Sequence, residues 1–153
     1  MMKTHPSEYA ALLLRLALAA VMLAHAAAKL FIFTLPGTVA FFSAAGFPGW
    51  TAYPVFALEA LGGLALLVGW QSRIVSLLLI PVMLGAATVH LRNGWMFTAP
   101  NGGWEYPVFL IAALGSQALL GNGAWAFATV AGKARGSHGM KQSRAFLESA
   151  DAG

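Results

Sequence analysis

The feature that most constrains this chain is an apolar run from Tyr9 to Phe33 that contains three basic or titratable side chains. A helix that spans a bilayer needs about 20 mostly apolar residues, and this run is long enough. Arg15, His25 and Lys29 interrupt it. At about 100° per residue, all three fall within one wedge of about 80° on the helix surface. A charge at the centre of a spanning helix costs about 2.5–3.5 kcal/mol, so we expect this wedge to face partners inside the protein.

The composition of the whole chain indicates an integral membrane protein. Of its 153 residues, 59% are hydrophobic and 9% are charged, whereas soluble domains average about 25% charged residues. The length suits one domain with four spans. The chain has no cysteine, which excludes disulfide exchange by this chain and thiolate metal sites. We identify no nucleic-acid-binding module.

Apolar runs separated by glycine, proline and asparagine predict an all-α integral membrane protein, an up-and-down four-helix transmembrane bundle. The predicted transmembrane domain covers residues 9–123. Its helices are expected at about residues 9–33, 52–70, 73–91 and 104–121. A polar arm, residues 1–8, precedes the domain and offers Ser7 as N-cap. A basic and partly mobile tail, residues 124–153, follows it.

Two segments outside these four helices are also predicted to be helical. Thr38 to Ala45 is expected to form a short helix in the membrane interface, with Phe41 and Phe42 at headgroup depth. Met140 to Ala150 is expected to form a weak amphipathic helix in the tail.

The distribution of basic residues predicts the orientation. One end of the predicted bundle has more basic residues than the other. It has Lys3, Arg73 and the four basic residues of the tail, whereas the opposite end has Lys29 and Arg92. By the positive-inside rule, both termini are therefore expected in the cytoplasm.

Alternating helix direction then brings polar side chains to the outer half of the membrane. At 1.5 Å per residue, Lys29 lies ~6 Å and His25 ~12 Å from the outer end of the first helix, and Glu59 lies ~10 Å from the outer end of the second. His90 ends the third helix at this level and Glu105 begins the fourth. We predict an outer-leaflet pocket lined by these five residues, since one ion pair would have sufficed to align two helices.

Each of these residues also has a structural explanation, which the sequence leaves open. Lys29 and Glu59 can be an ion pair that ties two helices together, and His25 can be a hydrogen-bonded interior histidine. A metal site is not expected, because the Glu-x-x-His and His-x-x-x-His spacings are absent.

Other residues are expected to serve packing or position. Trp95 and Trp104 belong to the aromatic belt at the membrane surface or stand near the mouth of the pocket. Small residues allow helices to approach closely, and Arg15 is expected to pair with or extend toward the inner interface. The residues assigned structural roles are Arg15, Gly62, Gly63, Gly69 and Arg73.

Several motifs together resemble the DoxX family of small four-helix bacterial membrane proteins. They are LLRLALAAVMLAHAAAKL in the first helix, EALGGL at 59–64, LVG at 67–69 with Arg73, HLRNGW at 90–95 and GGWEY at 102–106. The resemblance covers about residues 10–125. It implies a bacterial plasma-membrane protein related to the membrane subunit of thiosulfate:quinone oxidoreductase, a family in which many members have no established activity.

The resemblance and the polar cluster together predict a membrane component of an oxidoreductase system. The pocket would bind a quinone or another small substrate, with no covalent cofactor and no metal, and a redox partner protein would be expected. His25 would exchange a proton while Lys29 and Glu59 hold a carbonyl or hydroxyl. The expected substrate-binding residues are His90, Glu105, Trp95 and Trp104. The alternatives are a non-catalytic scaffold that recruits a partner protein and a small transporter module that acts as an oligomer.

Overall fold

A computed structural model describes residues 5–127 of the chain, and within this range it contains five α-helices and no β-strand. The helices are α1 (Pro6–Ala27), α2 (Leu35–Ala44), α3 (Ala52–Val68), α4 (Ser72–His90) and α5 (Glu105–Leu120). A π-helical segment, Ala28–Ile32, continues α1. Short 3-10 turns precede α3 and follow α4. The basic tail with its expected helix at Met140 to Ala150 lies outside the described residues.

The first helix starts earlier than the sequence predicts. Its N-cap is His5, which makes no side-chain hydrogen bond to the helix end, and Pro6 occupies the first turn. The prediction of Ser7 as N-cap is therefore wrong. Proline suits the first helical position because its φ is already helical and its missing N–H would have no partner there.

The second helix also starts earlier, at Leu35 instead of Thr38. Thr34 is its N-cap, and the Thr34 hydroxyl oxygen accepts a hydrogen bond from the Gly37 backbone N–H at 3.3 Å. Thr38 belongs to the helix interior, where its hydroxyl donates to the Thr34 carbonyl at 2.9 Å. The expected start at Thr38 is wrong because Thr34 supplies the capping oxygen.

The four longest helices pack side by side in a closed ring. Helix α1 contacts α3, α3 contacts α4, α4 contacts α5, and α5 contacts α1. Neighbouring helices of this ring are antiparallel. The start of α1 lies beside the ends of α3 and α5, where Arg15 contacts Gly69 and Asn122, and a turn of three residues, 69–71, reverses the chain between α3 and α4. The fully buried apolar side chains at the centre of the ring include Met22, Leu66, Leu79 and Leu114.

Three helical segments of the described chain are long and apolar enough to cross a membrane: Pro6–Ile32, Gly49–Val68 and Ser72–Asn93. Helix α5 is apolar too, but its 16 residues extend only ~24 Å at 1.5 Å per residue. Large apolar side chains lie on the outside of the helices, and Leu13, for example, is 71% exposed. Such a surface is suited to lipid, so the protein is an all-α membrane protein.

Glycines of α3 allow close contact with its neighbours, as expected for Gly62 and Gly63. A Cβ on Gly63 would lie 2.8 Å from the Leu23 Cγ of α1, and a Cβ on Gly62 would lie 3.3 Å from both methyl carbons of Leu79. Gly69 is closely packed too, since a Cβ there would overlap the Arg15 guanidinium and lie 2.7 Å from the Ala126 Cβ, and it has a second role. It follows the last residue of α3 and adopts φ +73°, which closes the helix with a left-handed residue.

Arg15 is 2% exposed and lies where two helices end. Its Nη1 donates a hydrogen bond of 2.6 Å to the carbonyl of Asn122, just after α5, and its guanidinium also contacts Gly69, just after α3. The C-terminal end of a helix carries about half a negative charge, so two helix ends help to neutralise this buried cation. We call this part of the ring the Arg15 end and the opposite part the Lys29 end. Arg73, at the start of α4, is exposed at the Arg15 end.

Candidate functional site

An ion pair joins α1 and α3 at the Lys29 end. The Lys29 ammonium donates to both carboxylate oxygens of Glu59, at 2.7 and 2.9 Å. Only 2% of the Glu59 side chain and 17% of the Lys29 side chain are exposed. The predicted pairing of these two side chains is thus present, and it follows from their matching positions along antiparallel helices.

The backbone around Lys29 is unusual, because it lies in the π-helical segment Ala28–Ile32. The Phe33 N–H donates to the Ala28 carbonyl at 2.9 Å, five residues back instead of four. Such turns are rare and often occur at functional sites. Here the wider turn carries one half of the ion pair.

A cavity of about 900 Å³ adjoins the ion pair. Four of the five polar residues predicted for the pocket line it: His25, Lys29, Glu59 and His90. Much of the remaining wall is aromatic and comes from Phe33, Phe41, Phe42, Phe47, Phe97 and Tyr106. The cavity therefore combines four polar side chains with an extended apolar surface, which is the usual character of small-molecule sites.

The two histidines are held by different contacts. The His25 ring lies 6.3 Å from the Tyr106 ring, centroid to centroid. His90 Nδ1 lies 3.2 Å from the Gly102 carbonyl, which also accepts from the Asn93 amide at 2.9 Å. A hydrogen on Nδ1 would donate to this carbonyl and would leave Nε2 of His90 with a lone pair for another partner.

The other predicted site residues lie outside the cavity wall. The Glu105 carboxylate accepts from the Phe97 backbone N–H at 3.0 Å and so holds the loop between α4 and α5. The rings of Trp95 and Trp104 pack edge to face, with centroids 4.3 Å apart. These three residues shape the segment next to the cavity, whereas Phe97 of that segment lines it.

Helix α2 and the aromatic wall are the part of the site that sequence reasoning did not assign. Phe41 and Phe42 were expected at the membrane surface because aromatic residues are common there. In the structure both line the cavity, together with Gly37 and Thr38 of the same helix. The high density of phenylalanine between residues 31 and 47 was the available signal.

The fully buried side chains between the cavity and the Arg15 end are apolar and polar. Met22, Leu66, Leu79 and Leu114 are buried there, and so are Ser76 and Gln117. Within residues 5–127, no group of three or more His, Cys, Asp or Glu side chains is placed to bind a metal ion.

Comparison with known proteins identifies the relatives of this chain. The model of the DoxX family matches residues 10–91. The chain is 32% identical over 117 residues to a protein of Bacillus subtilis (strain 168) named "Putative oxidoreductase CatD", and the match covers 73% of this chain and 84% of that protein. No solved structure matches the chain. With more than half of its length matched by the family model, and with a relative of this similarity, the chain belongs to the DoxX family.

Proposed function

We propose that this protein is a membrane component of an oxidoreductase system and that its cavity at the Lys29 end binds a quinone or a similar small redox-active amphiphile. The observation that carries the proposal is that a buried ion pair and two histidines line a largely apolar cavity of about 900 Å³. The relative named as an oxidoreductase supports the class of reaction.

The ion pair can bind an oxygen atom of the ligand. A lysine ammonium has three N–H donors, and Glu59 accepts from Lys29 through two contacts. A further N–H of Lys29 would therefore be available to a quinone carbonyl. Because the ion pair is already formed, it would bind this carbonyl without first being reorganised.

The histidines are suited to proton exchange. Reduction of a quinone to a quinol takes up two electrons and two protons. His25 and His90 line the same cavity, and imidazole changes charge near neutral pH more readily than other side chains. The electrons would come from a redox partner protein, since proton handling is the chemistry that these side chains offer.

We further propose that α1, α3, α4 and α5 all span the plasma membrane, with both termini in the cytoplasm. Their antiparallel packing and the excess of basic residues at one end support this arrangement. The cavity would then face the outer leaflet. A transporter is the weaker alternative, because four helices could provide a path only as an oligomer.

The test is direct binding of decylubiquinone to the purified protein in lipid nanodiscs. The wild type is expected to bind it, and His25→Leu and His90→Leu are each expected to weaken binding about tenfold, as expected for the loss of one hydrogen bond worth about 1.4 kcal/mol. His5→Leu is the matched control, because His5 is exposed at the Arg15 end.

Absence of binding by the wild type would overturn the proposal. Equal affinity of all three variants would also overturn it, because the cavity histidines would then have no part in binding. A folded, non-binding wild type that retains a partner protein during purification would favour the scaffold alternative.

A further inference from the structure

Helices α3 and α4 contact each other less extensively than α1 contacts α3 or α4 contacts α5. A turn of three residues, 69–71, joins them. They are in contact at Gly62, where the three atoms nearest to an added Cβ would all belong to the Leu79 side chain. Beyond this level, Val55 and Glu59 of α3 and Ala86 and His90 of α4 line the same cavity. Both helices thus line the cavity in the outer half of the ring, and we call the space between them there the opening.

This opening reaches the outside of the ring. Pro81 and Gly85 of α4 both line the cavity, and Pro81 is exposed. On the side of α2, Phe41 is 55% exposed although it also lines the cavity. Pro81 lies within α4, away from both helix ends. In a membrane-spanning helix this position is at the level of the lipid chains, so the opening faces the hydrocarbon region.

Gly85 keeps this opening wide. It lines the cavity, and a Cβ added there would meet no atom within 4 Å. Helical glycine is unfavourable by about 1 kcal/mol relative to alanine, and this glycine is not needed for close packing between helices. The free space beside it is available to a ligand.

We propose that the gap between the outer halves of α3 and α4 is a lateral entrance through which a bilayer-resident amphiphile enters from the lipid. This inference rests on the proposed function and specifies the ligand. Its hydrogen-bonding head lies at Lys29 and Glu59, and its apolar tail passes Gly85 into the bilayer. The ligand class is therefore a tailed lipophilic molecule and not a water-soluble substrate.

The experiment compares Gly85→Leu with Gly115→Leu. Gly115 lies on α5, and a Cβ there would also meet no atom within 4 Å, but Gly115 does not line the cavity. Both variants are expected to fold, since neither new side chain starts from an occupied position. Thermal unfolding in nanodiscs checks this, and decylubiquinone and the same benzoquinone head without the decyl tail are the two probes.

Gly85→Leu is expected to weaken binding of decylubiquinone at least about tenfold, because the new side chain fills the space that the tail must pass and overpacks it. Binding of the tailless head should stay within about twofold of the wild type, a difference well below 1 kcal/mol. Gly115→Leu should bind both probes as the wild type does.

The remaining outcomes each contradict the inference. Unchanged binding of decylubiquinone by Gly85→Leu would show that the tail does not pass this residue. Equal loss of both probes would place Gly85 at the head site, and equal loss by Gly115→Leu would show a general effect of the substitution. A wild type that binds neither probe would overturn the proposed function itself, whereas binding with no effect at Gly85 would overturn only the lateral entrance.

Discussion

Lys29 and Glu59 join α1 to α3 through an ammonium group that contacts both carboxylate oxygens, at 2.7 and 2.9 Å. Glu59 is almost entirely buried and Lys29 largely so. Each charged group is therefore largely removed from water and paired with the other. Because both residues also line the cavity, the same pair can hold the two helices in position and present a polar group to a ligand.

The stability contribution of this pair is measured by a double-mutant cycle. Lys29→Ala and Glu59→Ala should each lower the free energy of unfolding by about 3–5 kcal/mol, because removal of one partner leaves a buried charge uncompensated. The double variant should cost less than the sum of the two. Denaturant unfolding in detergent measures all four proteins, and strict additivity would contradict the contact.

Arg15 is expected to stabilise the Arg15 end through the ends of α3 and α5. Arg15→Met should lower the free energy of unfolding by about 1.5–3 kcal/mol, the range for a hydrogen bond to a charged group. Arg92→Met is the control, because Arg92 is an exposed arginine at the Lys29 end, and it should change stability by less than about 0.5 kcal/mol. Equal effects of the two substitutions would show that the loss of a positive charge, and not the loss of the contact with Asn122, lowers the free energy of unfolding.

Gly63 is closely packed and Gly115 is not, so we predict that substitution by alanine changes the stability differently at these two positions. Gly63→Ala should destabilise the protein by about 1–3 kcal/mol, since the new methyl group would lie 2.8 Å from the Leu23 Cγ. Gly115→Ala enters open space and should leave stability unchanged or raise it by up to about 1 kcal/mol. Thermal unfolding of both variants tests this, and a stable Gly63→Ala would contradict the close approach of α1 and α3.

The proposed orientation can be tested with single cysteines, because the chain has none of its own. Cysteines at Ser7 and Ser137 should be protected from a membrane-impermeant thiol reagent in intact cells, whereas a cysteine at Thr98 should be labelled. Ser7 and Thr98 are exposed at opposite ends of the ring, and Ser137 lies in the tail outside the described residues. Thr98 is preferable to Asn101, whose φ of +65° would strain a cysteine. Labelling of Ser7→Cys from outside would reverse the orientation.

The positions of polar groups along the helices could be predicted by counting residues. The rise of a helix is constant, so once successive helices alternate in direction, the level of each side chain follows from its distance to the helix end. Lys29 and Glu59 meet for this reason, and His25 and His90 line the same cavity. The membrane class followed just as directly from the length of the apolar runs.

Counting along an axis does not determine the direction in which a side chain points. Glu105 lies at the predicted level, but its carboxylate accepts from the Phe97 N–H and does not line the cavity. That direction depends on the path of the loop between α4 and α5. Likewise, the spacing of Gly69 from Gly62 predicted a packing residue, and the end of α3 at Val68 also makes it a left-handed cap.

By itself, the sequence determined the apolar helices, the family resemblance and the levels of the charged groups, because these depend on local composition and on the constant rise of a helix. Only the tertiary structure decided that α2 lines the cavity through Phe41 and Phe42, and that Gly85 of α4 lines it too. Those features depend on contacts between segments far apart in the chain. Such contacts are governed by the shape of the packed surfaces and not by the pattern within any one segment.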